Sequence, residues 1–118
     1  MKKLYFLFAI ILFFVNGKAQ IINFPDANFK SKLLEANTSN AIARNLSGAY
    51  FKIDTNNDGE IEVSEAQQVK ELDVNPGNIT SLTGILNFTN MTRLNCHYNE
   101  ITALDLNGLT NLLRLDCY

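Results

Sequence analysis

The chain has 118 residues, with ten basic and twelve acidic side chains, one histidine and two cysteines. A formal charge of −2 without a basic cluster excludes the electrostatic footprint of a nucleic-acid binder and disfavours anionic membrane surfaces, and two cysteines are too few for a disulfide-built scaffold. A chain this short buries a modest share of its surface and gains from a metal ion or from repeated neighbours.

The chain opens on Lys2 and Lys3, runs through an unbroken apolar stretch from Leu4 to Val15, and turns polar at Asn16-Gly17-Lys18-Ala19. This is the pattern of a secretory signal peptide over residues 1–19, with Gly17 and Ala19 small at the third and first positions before a cut between Ala19 and Gln20. The apolar core is shorter than the about 20 residues a membrane span requires. A secreted or bacterial cell-surface product is expected, with no membrane insertion after cleavage. The cut removes Lys2, Lys3 and Lys18 and no acid, so seven basic residues face all twelve acids in a product of net charge −5.

Residues 20–68 read as an N-terminal helical cap. Pro25 and Asp26 make a helix start, and Phe29, Leu33 and Leu34 fall on one face of the turns that follow. The polar run Asn37-Thr38-Ser39-Asn40 interrupts the pattern; Ala41, Ile42 and Leu46 predict a second short helical piece that ends at Ser47-Gly48.

Residues 54–65, Asp54-Thr55-Asn56-Asn57-Asp58-Gly59-Glu60-Ile61-Glu62-Val63-Ser64-Glu65, fit the twelve-residue EF-hand calcium loop. Calcium takes six to eight oxygens. The loop offers side-chain oxygens at positions 1, 3 and 5 (Asp54, Asn56, Asp58), a carbonyl at position 7 (Glu60), position 9 (Glu62), and a carboxylate that can bind through both oxygens at position 12 (Glu65). Gly59 at position 6 permits the left-handed backbone of the sharp turn, and Ile61 at position 8 gives the loop an apolar foot. Five of the chain's twelve carboxylates lie in these twelve residues with no basic residue among them, a repulsion that a divalent cation relieves. One Ca2+ ion in a structural role is the expectation, because sensor loops of this kind work in pairs. Ser64–Gln68 then reads as a short helix leading into the next region.

Residues 69–118 repeat. Laying 69–90 over 91–111 and over 112–118 aligns Val69 with Met91 and Leu112, Leu72 with Leu94 and Leu115, and Val74 with Cys96 and Cys117, at steps of 22 and then 21 residues. Ile79 falls on Ile101, Leu82 on Leu104 and Phe88 on Leu109, giving two full repeats and one partial. One coil per repeat, with a short strand at Leu-x-Val or Leu-x-Cys, buries its apolar side only by stacking on its neighbours. The middle repeat, Met91-x-x-Leu94-x-Cys96-x-x-Asn99-x-Ile101-x-x-Leu104, resembles the leucine-rich-repeat consensus, and the region is similar to the internalin-like proteins of bacterial surfaces. The resemblance implies an α/β leucine-rich-repeat solenoid with short parallel strands behind an N-terminal helical cap. The first repeat departs from the consensus with Gly77 in place of asparagine, so an altered turn is expected there. The chain reaches Tyr118 just after a strand, which reads as a fragment of a longer repeat protein.

Cys96 and Cys117 share one inward strand position in adjacent repeats, within disulfide range; because directly stacked parallel strands seldom present the torsion of a bridge, buried free thiols are expected. His97 lies with no serine or cysteine nucleophile placed to use it, so a catalytic role is not indicated. The outward positions form columns across the sheet: Glu71, Arg93 and Arg114; Asp73, Asn95 and Asp116; then Asn75, His97 and Tyr118, with Tyr98 beside them. Mixed charge with tyrosine suits contact with a protein or glycan ligand.

The sequence thus predicts a non-enzymatic extracellular binding module, monomeric, serving adhesion or recognition and stabilised by calcium. Two other readings stand beside it: the N-terminal part of a secreted hydrolase with its catalytic domain further on, and a dockerin-like docking module, which pairs two calcium loops where this chain has one.

Overall fold

The computed structural model describes residues 20–117; the leader read over residues 1–19 and Tyr118 lie outside the described residues. Its centre is a four-stranded mixed sheet in the order β1-β2-β3-β4, formed by β1 (Ala43–Asn45), β2 (Val69–Asp73), β3 (Arg93–Asn95) and β4 (Arg114–Asp116). The last three are parallel, with Leu72, Leu94 and Leu115 in register, and the repeat step of the sequence is the step from strand to strand. β1 pairs antiparallel with β2 and occupies the edge on the cap side. No helix among the described residues is long and apolar enough to cross a membrane.

The aligned apolar positions of the repeats form the core. Leu72, Val74, Ile79, Leu82, Phe88, Met91 and Leu94 are buried, each such side chain contributing roughly 1.5–3 kcal/mol relative to exposure. Leu115, at the same repeat position on the outer strand of the described sheet, is 44% exposed, against 0% for Leu94. Two sets of asparagine bonds tie the repeats together. Asn90 and Asn111 each donate a side-chain N–H to a main-chain carbonyl of the preceding repeat register, at Gln67 (2.8 Å) and Thr89 (2.9 Å). Asn99 donates to the carbonyls of Val74, Cys96 and His97 and accepts from the N–H of Ile79. This one residue therefore closes its own turn and part of the turn before it. At the equivalent position of the first repeat a Cβ on Gly77 would lie 3.0 Å from the Ile79 side chain and 3.2 Å from Asn99 Oδ1. The first turn leaves room for the second repeat's asparagine and uses no asparagine of its own.

Helix α1 (Ala27–Glu35) begins where Pro25-Asp26 predicts, with Asp26 as its N-cap, and buries Phe29 and Leu33 completely. It ends at Ala36, where Asn40 donates to the Glu35 carbonyl and the Asn37 side chain accepts from Ser39 N–H. The second short helix expected over Ala41–Leu46 is a strand instead. Asn45 accepts the N–H groups of Ser47 and Ala49 on its side chain and, with Gly48, makes a tight turn that brings Tyr50 back beside Arg44. Turn chemistry at Asn45 and Gly48 outweighs three apolar residues at helical spacing. Helix α2 (Val63–Ala66) follows the acidic loop as expected.

The expectation of free buried thiols is also overturned. Cys96 and Cys117 are joined in a disulfide with Cα atoms 4.6 Å apart, inside the roughly 4.4–6.8 Å range of bridged cysteines. In-register parallel pairing brings side chains at one repeat position within a single strand spacing, and that proximity decided the matter against the torsional objection.

Besides the pairing of β1 with β2, two contacts stand out among those that fasten the cap to the first repeat. Phe24 packs edge-on against Phe29, at 5.3 Å between ring centres, and lies over Gly84, where a Cβ would come within 2.6 Å of the Phe24 ring and φ is +107°; only glycine fits there. The other contact is Asp26. One carboxylate oxygen accepts the N–H groups of Asn28 and Phe29, and the other accepts the N–H groups of Thr80 and Ser81 and the Thr80 hydroxyl. Burial pushes the Asp26 carboxyl up, but the N–H groups of Thr80, Ser81 and Phe29 and the Thr80 hydroxyl outweigh it and hold it at about 2.

Asp26 thus caps a helix and anchors it across more than fifty residues of sequence. Replacing it with alanine is expected to lower unfolding free energy by about 2–3 kcal/mol, the sum of a lost N-cap and lost bonds to a charged acceptor. Because its folded value is depressed, the ionic part of this stabilisation is present above the ordinary carboxylate value and lost as pH falls from about 4 towards 2. Urea unfolding of the parent and Asp26→Asn across that window is expected to show the two converging at the acid end; a constant gap would contradict the assignment.

Candidate functional site

The acidic loop is held by the chain on both sides of it. Ile61, at the eighth loop position, is fully buried, and its carbonyl accepts the N–H of Ile22 at 2.9 Å, while Val63 N–H donates to the Gln20 carbonyl at 2.8 Å. The segment Gln20–Ile22 therefore pairs with the end of the loop like a short antiparallel strand. From the other side Lys30 of α1 forms an ion pair with Glu60 at 2.8 Å, the cation that inspection of the loop's own residues does not reveal.

Inside the loop the carboxylates are turned to main-chain donors. Asp54 accepts N–H from Asp58 and Gly59, and Asp58 accepts N–H from Glu60. Glu65 accepts N–H from Thr55, Asn56 and Glu62 and the Thr55 hydroxyl. Gly59 takes φ +79°, the left-handed turn for which glycine suits the position. The side-chain amide of Asn56 donates to both Asp58 (3.3 Å) and Glu62 (3.1 Å) and so bridges two carboxylates.

Three of these acids are nearly closed from water: Asp54, Glu62 and Glu65 are 3%, 4% and 6% exposed. None of them is ion-paired with a basic side chain among the described residues, and Glu62 Oε2 is buried without a hydrogen-bond partner. The neighbouring side chains of Glu65 and Asp58 push Glu62 up to about 7, with burial and the charge of Glu65 adding to the rise and Asn56 opposing it. The same arrangement works in reverse on its neighbours. Asp58 is held low by the Glu62 side chain and the Glu60 N–H; Glu65, which burial raises, is brought down by the side chain and N–H of Glu62 together with Thr55 and Asn56. Crowded acids resist ionising together, and the upward shift of Glu62 beside the downward shifts of Asp58 and Glu65 is that resistance.

This set fits a hard cation by its chemistry: oxygen donors, buried negative charge and an orphaned carboxylate oxygen. In the geometry described, no three Asp, Glu, His or Cys side chains among the described residues converge as a ready-made metal group, and Asp54 and Glu65 accept N–H groups of the loop.

The sheet face carries the second set of predicted residues. Glu71, Arg93 and Arg114 lie in one register row and Asp73, Asn95 and Asp116 in the next. Asn95 is 8% exposed and spends its side chain on Asp73 and on the His97 N–H, whereas Tyr98 is 76% exposed. Tyr98 stands at φ +53°, a conformation that costs a bulky residue about 1–3 kcal/mol, held by the Asn99 bonds that follow it. His97 lies beside it, with 6.0 Å between ring centres. Sequence reading missed two members of this face. Arg44 and Tyr50 join the row beside Glu71 because β1 pairs there, and a three-residue strand carries too little alternation to announce itself.

The sequence matches no family model and no curated protein. Among solved structures the chain is similar to the functional domain of InlJ from Listeria monocytogenes, which includes a cysteine ladder, with 32% identity, a TM-score of 0.55, and coverage of 81% of this chain and 18% of that one. It is also similar to the internalin InlF of Listeria monocytogenes strain 4b F2365, with 23% identity, a TM-score of 0.55, and coverage of 85% of this chain and 26% of that one. The chain thus spans about a fifth to a quarter of the structures it matches. The disulfide joins one repeat position across β3 and β4, and the described chain has an internalin-like leucine-rich-repeat fold.

Proposed function

We propose that the chain is an extracellular binding module of the bacterial surface that recognises a protein ligand on the outward face of β2, β3 and β4, with its N-terminal cap stabilised by one calcium ion. The observation that carries the reading is Tyr98, a large aromatic side chain exposed at a backbone angle unfavourable to it, beside a row of charged residues on a rigid sheet. Such rigid aromatic groups supply contact area at low entropic cost. The internalin-like fold supports the assignment, since its strands present one side chain in two to solvent on a common face. The residues of this face are Glu71, Asp73, Arg93, Asn95, His97, Tyr98, Arg114 and Asp116.

Peptides selected from a random library against the chain are expected to bind at least tenfold more weakly to Tyr98→Ala and Asp73→Lys, each measured well below its own melting temperature because Asp73 also accepts from Asn75 N–H and the Asn95 side chain, and equally to Ser31→Ala on the helical cap. Binding that ignores both face substitutions would refute the reading.

In this proposal Asp54, Asn56, Asp58, Glu62 and Glu65 and the Glu60 carbonyl hold the calcium ion, whose charge offsets the repulsion among these carboxylates. The loop is joined to Gln20–Ile22 and to α1, so a bound ion stiffens the whole cap. At about 100 times the dissociation constant, linkage adds about 2.7 kcal/mol, or more than about 10 °C in melting temperature for a domain of this size. Millimolar calcium is expected to raise the melting temperature over that in chelator, and Asp54→Ala combined with Glu65→Ala to abolish the difference. Equal melting of the parent in calcium and chelator would remove the ion from the account.

A further inference from the structure

The reading of the sheet face as the ligand surface leaves open what chemistry the ligand presents, and the distribution of charge on that face bears on it. In a chain with more acids than bases, the first outward row gathers three arginines, Arg44, Arg93 and Arg114, around a single acid, Glu71. The next row, two residues further along each strand, carries Asp73 and Asp116 with the neutral Asn95. The face is a positive row beside a negative one.

The arginines also stand further out. Their side chains are 39%, 36% and 65% exposed for Arg44, Arg93 and Arg114, against 30% for Glu71 and 21% for Asp116. The ion pairs of Arg44 and Arg93 are loose. Arg44 and Arg93 stay 3.6 and 3.7 Å from Glu71, Arg93 is 3.9 Å from Asp116, and Arg93 Nε has no hydrogen-bond partner. Arg114 meets Asp116 at 2.7 Å through Nε, which leaves its terminal nitrogens for another carboxylate. Arg44 is the fixed member: it donates to the Gly48 carbonyl and the Tyr50 hydroxyl and lies 4.2 Å from the centre of the Tyr50 ring. Between Arg44 and Arg93 the surface opens into a cleft of about 250 Å³, whose wall also holds Tyr50, Leu72 and the acids Glu71 and Asp73.

We propose that this row docks acidic side chains of a protein partner, with Arg93 and Arg114 taking carboxylates in the planar, two-point manner of guanidinium groups and Arg44, held by Gly48 and Tyr50, extending the positive row. The row of Asp73 and Asp116, roughly 7 Å away along the strands, sets the class of partner. A uniformly anionic polymer such as a sulfated glycan would be repelled there. A polypeptide can lay acids over the arginines and neutral or basic side chains over the aspartates.

The test uses two labelled probes, a peptide of three glutamates separated by serines and a heparin octasaccharide, with binding followed by fluorescence anisotropy on the whole chain. The peptide is expected to bind saturably, about threefold more weakly to Arg114→Ser and at least tenfold more weakly to Arg93→Ser with Arg114→Ser, each checked for unchanged melting; Arg114, exposed on the outer strand, keeps the test available if the double variant misfolds. Failure of the peptide to bind, binding indifferent to Arg114→Ser, or arginine-dependent binding of heparin without the peptide would each overturn the proposal. The proposal rests on the ligand-face reading and can fail apart from it. Library peptides lost on Tyr98→Ala but untouched by the arginine variants would overturn arginine docking and leave the face standing, whereas library peptides indifferent to every outward substitution would overturn both.

Discussion

The structure depends on one constraint: a single 21- or 22-residue repeat cannot cover its own apolar side and must lie in register on a neighbour. Leu72, Leu94 and Leu115 show what that means at one position, since the first two are closed from water while the third, on the outer strand, is not. Polar bonds reinforce the register that the apolar pattern sets. Asn99 and Asn111 each reach a main-chain group of the repeat before, and Asn90 reaches Gln67 at the end of the cap. The disulfide between Cys96 and Cys117 adds a covalent tie at the same spacing.

The N-terminal region solves the converse problem at the cap side. β1 occupies the sheet edge that would otherwise present unpaired main-chain groups, and α1 covers the apolar interior with Phe29 and Leu33. Asp26 joins that helix to the turn at Thr80 and Ser81, and the acidic loop is tied to Gln20–Ile22 on one side and Lys30 on the other. Cap, loop and first repeat are therefore connected through hydrogen bonds as well as through the core. An ion placed in the loop would act on all three, which is why the calcium proposal is one about stability and not about signalling.

Much of this was legible in the sequence because it repeats. A period of 22 and 21 residues with aligned leucines gave the strands, their parallel order and the inward positions, and Pro25-Asp26 with Phe29 and Leu33 gave α1. Short-range turn chemistry was harder to read: the strand at Ala43–Asn45 depends on how Asn45 and Gly48 fold the next few residues, and its three apolar neighbours mimic a helical face. The bridge between the cysteines is hard to read from sequence because a general torsional preference of parallel strands argues against it, while in-register pairing brings Cys96 and Cys117 to 4.6 Å between Cα atoms. In the candidate sites, the acidic residues of the loop were visible from their spacing, but Lys30 was not, since it approaches from 30 residues away in sequence. Arg44 and Tyr50 were hidden from the outward face for the same reason as β1 itself.

The central claim, that the helical cap and the repeats form one unit pinned through Asp26, is tested most directly by native-state hydrogen exchange of the parent protein. The account predicts that the Thr80 and Ser81 amides, which donate to Asp26, exchange with the same opening free energy as the Leu94 amide in the centre of the sheet, because they are released only by global unfolding. Exchange of Thr80 and Ser81 through a separate, lower-energy opening while Leu94 stays protected would show the cap detaching on its own, and would contradict it.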